Sequence, residues 1–240
     1  PLTKKRISDA QSRAREFEGS NYRNSLEYEL VKARSVVHFA QLPRQAIRQF
    51  DQNLRRAKSD QERLIAEYGL ALAHSKNNDH EDALQFMRNA LNKHKENLLI
   101  QIGILEVHIA AENYFEAEAL AVSLLQLNPN NYPISMLYNQ ILMNKGDYEK
   151  GEEVLRTLTL KRPNDPQIWY WLAEVQGLDQ NIIGLHLSRA EYFYLTGSYE
   201  TSLKHLRMAL ELVGNNFQLT ETIHNKIERS HKSIEALKST

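Results

Sequence analysis

Apolar residues along this chain fall three and four positions apart, broken by short polar stretches, and the pattern itself repeats. Ala83, Ala117 and Gly151 are small residues set 34 positions apart. Asn78, Glu112 and Gly146 sit five positions ahead of them, and His80, Tyr114 and Tyr148 three ahead. Leu91, Leu125 and Thr159 follow eight after, and Lys95, Pro129 and Pro163 twelve after. Spacing of three and four predicts amphipathic helices. A fixed period of this length predicts helical hairpins that bury their apolar faces only by stacking on one another.

Along the chain, residues 3–17 predict a short polar helix with Ile7, Ala10, Ala14 and Phe17 on one face, Gly19 as its stop, and Ser20–Asn21 as the cap of the next. Helices are expected from Asn21 to about Phe39 and from Pro43 to about Lys58. Ala46, Phe50 and Leu54 repeat the small, large, apolar order of a second helix. Ala46 lies 37 residues before Ala83, so the loop between these repeats has gained three residues. Regular repeats follow at 64–97, 98–131 and 132–165, the last two closed by Pro129 and Pro163, which cannot continue a helix.

The register then slips. Ser202 occupies the small position 51 residues after Gly151, one and a half periods on. Trp169, Leu172 and Ala173 open another first helix, so residues 182–195 are read as a shared helix, second in one hairpin and first in the next. Residues 216–238, with Ile223, Ile227, Ile234 and Leu237 on one side, predict a polar-faced cap. The expected organisation is a junction helix at 1–19, five to six hairpins over 20–214 and a capping helix at 215–240. A 34-residue period in this order resembles the tetratricopeptide repeat, which implies an all-α, right-handed α-solenoid and a role in binding rather than catalysis.

Composition narrows the chemistry. Lys and Arg number 30 and Asp and Glu 30, which argues against the basic stripe that nucleic acid requires. Without cysteine there is no disulfide, thiolate ligand or cysteine nucleophile. No run of about 18 apolar residues exists to form an integral membrane segment. Nine histidines invite a metal hypothesis, but none forms His-Glu-x-x-His, and His108 with Glu112 is short of the ligands zinc needs. No catalytic, cofactor-binding or metal-binding residue is expected, and Lys4–Lys5–Arg6 and Arg55–Arg56 read as solvated faces.

The candidate site is the groove lined by first helices. Its fifth positions are Val31, Tyr68, Ile102, Met136, Tyr170 and Leu187, all apolar or aromatic. Such a stripe suits an extended peptide or a docked domain, or else simple packing between repeats. The ninth positions (Ser35, Leu72, Glu106, Gln140, Glu174 and Glu191) hold no base, and Lys76 is almost the only one near. That composition opposes a clamp for C-terminal carboxylates.

Pro1, Leu2, Arg6, Ile7 and Ala10, followed by a degenerate repeat, regular repeats and the slip, resemble the C-terminal part of bacterial periplasmic zinc metallopeptidases of the β-barrel assembly-enhancing protease type. The resemblance implies a non-catalytic accessory domain that docks on its own protease domain and recruits outer-membrane-protein clients or assembly machinery. It further implies zinc bound upstream of this chain, an upstream secretion signal, and a periplasmic location. The alternatives are a free-standing cytoplasmic scaffold and an assembly lipoprotein.

Overall fold

The computed structural model describes residues 25–238. Twelve α-helices and no strands occur among them: α1 (Leu26–Phe39), α2 (Pro43–Arg56), α3 (Asp60–Lys76), α4 (His80–Lys93), α5 (Leu98–Ala110), α6 (Tyr114–Leu127), α7 (Tyr132–Lys145), α8 (Tyr148–Lys161), α9 (Pro166–Leu178), α10 (Ile182–Leu195), α11 (Tyr199–Leu212) and α12 (Phe217–Lys238). The junction helix expected at 1–19 lies outside the described residues. Helix α1 begins at Leu26 rather than near Asn21, because the Ser25 side chain accepts from the Tyr28 amide and fixes the first turn there.

First helices of the hairpins carry such caps throughout. Ser59, Asn97, Asn131 and Asp165 accept amide hydrogens at the starts of α3, α5, α7 and α9. Second helices α4, α6, α8 and α11 have no side-chain cap. Their starts are held instead by tight turns, and those turns keep the period. Asn78, Glu112, Gly146 and Gln180 recur every 34 residues with φ of 65°, 59°, 77° and 60°. A left-handed residue at this point lets the chain reverse while the last carbonyls of the preceding helix stay bonded. Asp79, Asn113, Asp147 and Asn181 all donate back to a carbonyl of the first helix in this way.

Past Gln180 the left-handed residues come at half that interval, at Gly197 and Gly214. Seventeen residues make one helix and one turn, so every helix from here is followed by the same kind of turn. Helix α10 accordingly packs on α9 and α11 alike, and α12 covers α11. It also carries the side-chain cap of a first helix: Asn181 accepts from the Gly184 amide.

The core runs along the stack in four patches. The first, from α1 to α5, holds Leu30, Phe50, Tyr68, Met87 and Ile100, all nearly or fully buried. The second joins α5, α6 and α7 around Leu105 and Ile134, and the third joins α7, α8 and α9 around Leu155 and Leu172. Ala190, Leu206 and Ile223 build the fourth under the cap. Fully burying a Leu or Ile side chain contributes about 1.5–3 kcal/mol, so each patch offsets part of the cost of ordering its helices. Gly69 allows one close approach: a Cβ there would lie 2.4 Å from the Phe50 ring of α2.

The degenerate first hairpin departs at its turn. Ala40 is extended, so α1 lacks the left-handed stop of later hairpins. The carbonyls it exposes are taken up by a side chain from the next hairpin. Lys76 Nζ donates to Val37 and His38 at 2.9 Å and to Ala40 at 3.4 Å.

Candidate partner-binding groove

Helices α1, α3, α5 and α7 lie side by side, and their outward positions line one face of the stack. Two cavities open on it. The first, about 480 Å³, is lined by Val31, Ser35, His38 and Phe39 of α1, Leu72 and Lys76 of α3, and Leu99 of α5. The second, about 660 Å³, is formed by Leu99, Ile102 and Glu106 of α5, Pro133, Met136, Gln140, Met143 and Asn144 of α7, and Trp171 of α9. Arg34 and Leu99 border both, so they form the partition.

Arg34 is fixed from two sides. One guanidinium nitrogen donates to the Tyr68 hydroxyl at 2.8 Å, and the other is paired with Glu106. Tyr68 in turn donates to the Leu99 carbonyl at 3.2 Å. Burial opposes the charge on Arg34, but the hydrogen bond and charge of Glu106, with help from Tyr68, outweigh it and raise the guanidinium pKa. Burial raises the Tyr68 phenol in spite of Arg34. The partition is therefore a closed polar bridge across three first helices, set in apolar walls.

The six fifth-position residues divide between groove and core. Val31, about half exposed, lines the first cavity; Ile102 and Met136 line the second. Tyr68 is fully buried, offering a partner nothing but its already bonded hydroxyl. Its ring packs against Gly103 of α5, where a Cβ would meet the Met87 methyl at 2.5 Å and the Tyr68 ring at 3.1 Å. Leu187 packs against the core patch under the cap. Tyr170 is 37% exposed and belongs to an aromatic run, with ring centroids 5.4 Å from Trp171 and 5.6 Å from Tyr192.

Position numbering marked Gln140, as a ninth position, but not Trp171, Met143 or Asn144 as groove residues. The last two lie on the same face of α7 as Met136, at spacings of seven and eight, so helical periodicity could have found them. Asn139, one position round, is buried; its Nδ2 donates to Met143 Sδ at 3.4 Å and its Oδ1 has no partner.

Charges along the face are internally neutralised. Glu106 is held by Arg34, and Glu174 by Arg189 at 2.8 Å. Glu191 is buried against α12, bonded by Lys226 and by Arg229 at 2.8 Å. Burial works against that carboxylate, yet Lys226 and then Arg229 hold its pKa below the usual range. Lys76, the base nearest a carboxylate clamp, is committed to the end of α1.

Histidines are placed by packing. His74 stacks on Phe86 with centroids 5.6 Å apart and meets Asp79 at 3.3 Å. His186 and His205 face each other across α10 and α11, Nδ1 to Nδ1 at 3.0 Å, with Phe193 stacked on His205. Among the described residues no group of three or more acidic or histidine side chains is arranged to hold a metal ion, and no helix is long and apolar enough to cross a membrane.

Two family models match the chain, both described as tetratricopeptide repeat, over residues 30–97 and 108–175. Together they span more than half of it. No curated protein matches in sequence. Among solved structures, a tetratricopeptide repeat protein from Parabacteroides merdae is similar with a TM-score of 0.52 at 14% identity, covering 94% of this chain and 91% of that one. MamA from Desulfovibrio magneticus has a TM-score of 0.52 at 14% identity, covering 75% and 98%. A thermophilic repeat protein of Thermus thermophilus has a TM-score of 0.50 at 16% identity, covering 85% and 99%. At such identities the likeness is one of fold.

Proposed function

The chain belongs to the tetratricopeptide-repeat family, and from that premise we propose that it is a non-catalytic docking domain whose second cavity receives an uncharged, apolar stretch of a protein partner. The observation that carries this reading is the composition of that cavity. Ile102, Met136, Met143 and Trp171 supply an apolar floor, and two thioethers let it adapt to side chains of different shape. Gln140 and Asn144 stand at its edge with amides suited to a peptide backbone. Its two charged lining residues, Arg34 and Glu106, neutralise each other, so a charged ligand group gains little there.

A photo-crosslinking residue at Gln140, compared with one at Leu160 outside the groove, tests the assignment in cells. Adducts are expected from position 140 and not from 160, and Met136→Glu is expected to reduce them at least tenfold while the melting temperature holds. Equal adducts from both positions, or adducts insensitive to Met136→Glu in a folded variant, would refute it. Tyr68 is unsuited to such a test, because a charge at that buried site unfolds the hairpin.

The finer reading we propose rests on resemblance: an accessory domain of a periplasmic zinc metallopeptidase, docked on its protease domain and recruiting outer-membrane-protein clients or their assembly machinery. Pro1, Leu2, Arg6, Ile7 and Ala10 and the half-period slip support it. Any zinc chemistry belongs to the upstream part. The coding sequence ahead of Pro1 decides the matter: a His-Glu-x-x-His motif and a secretion signal support it, and a start codon immediately before Pro1 leaves the free-standing scaffold.

A further inference from the structure

We propose that His186 and His205 form a two-imidazole site for a late first-row divalent transition-metal ion at the seam of α10 and α11. The observation is the way the two rings meet. Their Nδ1 atoms face each other at 3.0 Å, with ring centroids 5.3 Å apart and planes inclined by 40°. An imidazole nitrogen binds such an ion at about 2.0–2.1 Å. Two nitrogens held 3.0 Å apart therefore subtend roughly a right angle at an ion set evenly between them. That is the angle between neighbouring ligands in the tetragonal sites that Cu²⁺ and Ni²⁺ take, and imidazole suits both.

The surroundings support the assignment. Phe193 stacks on the His205 ring, centroids 5.4 Å apart and planes within 11°, and so steadies its orientation. Both rings are only part-buried, which leaves an approach for the ion and for water. Burial holds both imidazoles in the neutral form that metals bind. Without metal, one Nδ1–H donates to the other nitrogen. With metal, both protons sit on Nε2 and both Nδ1 lone pairs turn to the ion. Arg189, one turn along α10 from His186, is the cation that opposes the ion, and Glu174 of α9 pairs with it at 2.8 Å.

Two protein ligands leave the remaining positions to water, so this is an exchangeable site, unlike the closed set of a structural zinc. The two residues lie 19 positions apart on different helices, so no spacing motif announces them. An ion there clamps the shared helix α10 onto α11. The inference is independent of what enters the groove.

The test is calorimetry with Cu²⁺ on the full chain in glycine buffer at pH 7.5. One equivalent is expected to bind, at least tenfold more weakly in His186→Asn and in His205→Asn. His74→Asn, which removes the histidine facing Asp79, is expected to bind as the parent does. At tenfold excess over its dissociation constant the ion is expected to raise the melting temperature by about 3–5 °C, a shift absent from the two single variants. Electron spin resonance of the bound Cu²⁺ is expected to show two imidazole nitrogens in the parent and one in either single variant. Equal affinity in parent and variants, loss of binding in His74→Asn, or a parent spectrum with fewer than two nitrogens would each overturn the proposal.

Discussion

Arg34 on α1 and Glu106 on α5 are paired across α3, so the first and third hairpins touch through charge as well as through the hairpin between them. A stack normally couples each repeat to its neighbour alone. Here one bridge skips a repeat, and it is also the wall between the two cavities.

Removing one end of that bridge leaves a part-buried charge with a lost partner. Arg34→Met is expected to cost about 1–3 kcal/mol in urea denaturation. The double variant with Glu106→Gln is expected to cost less than the two single changes together, which a double-mutant cycle measures directly.

Lys76 does the work that a left-handed turn residue does elsewhere. Lys76→Met is expected to destabilise by roughly 1 kcal/mol and to speed hydrogen exchange of the last turn of α1, while α4 remains protected.

Gly69 faces a ring and not a gap. Gly69→Ala is expected to cost about 1–3 kcal/mol, since the buried Phe50 must shift, and adding Phe50→Leu is expected to recover part of the loss in thermal unfolding.

Acidification acts first through His186 and His205. Burial lowers both below the ordinary histidine value of 6.5; Arg189 adds to the effect on His186, and His186 and then Arg189 add to that on His205. The unfolded chain then binds protons that the folded chain refuses, so stability is full above pH 6.5 and is lost as pH falls below it through the depressed folded values. His205→Leu is expected to flatten this slope in denaturation curves, apart from the share of His108, which burial also lowers. Glu191 adds a separate loss below its unfolded value of 4.5, as pH falls through its depressed folded pKa.

At the turn of the shared helix, Gln180 adopts φ of 60° where Gly146 stands one repeat earlier. Gln180→Gly is expected to stabilise by roughly 0.5–1 kcal/mol, read as a raised melting temperature.

Periodicity carried the helices well. Ala46, Ala83, Ala117 and Ser202 are buried at the hairpin seams, and residues 182–195 form α10 within the bounds the pattern gave. Side-chain fate was harder to read. Tyr68 and Val31 share a repeat position, yet one is fully buried and the other half exposed, because among the described residues Val31 lies on a helix flanked on one side and Tyr68 on one flanked on both. Lys76 stood out only as almost the sole base near the groove, and its role at the missing turn of Ala40 had no sequence signal. The Arg34–Glu106 bridge joins residues 72 positions apart, beyond the reach of any pattern of spacing within one or two repeats.

Helix α10 counts twice, and this limits how the molecule can be shortened. A regular array can be cut after any second helix, leaving a tidy end. A chain stopped after α10 would strip that helix of α11 and leave Glu191 without Lys226 and Arg229. Ending at Lys161, at the close of α8, keeps α9 to α12 from being split, although it uncovers Leu155 and Leu158 of the third core patch.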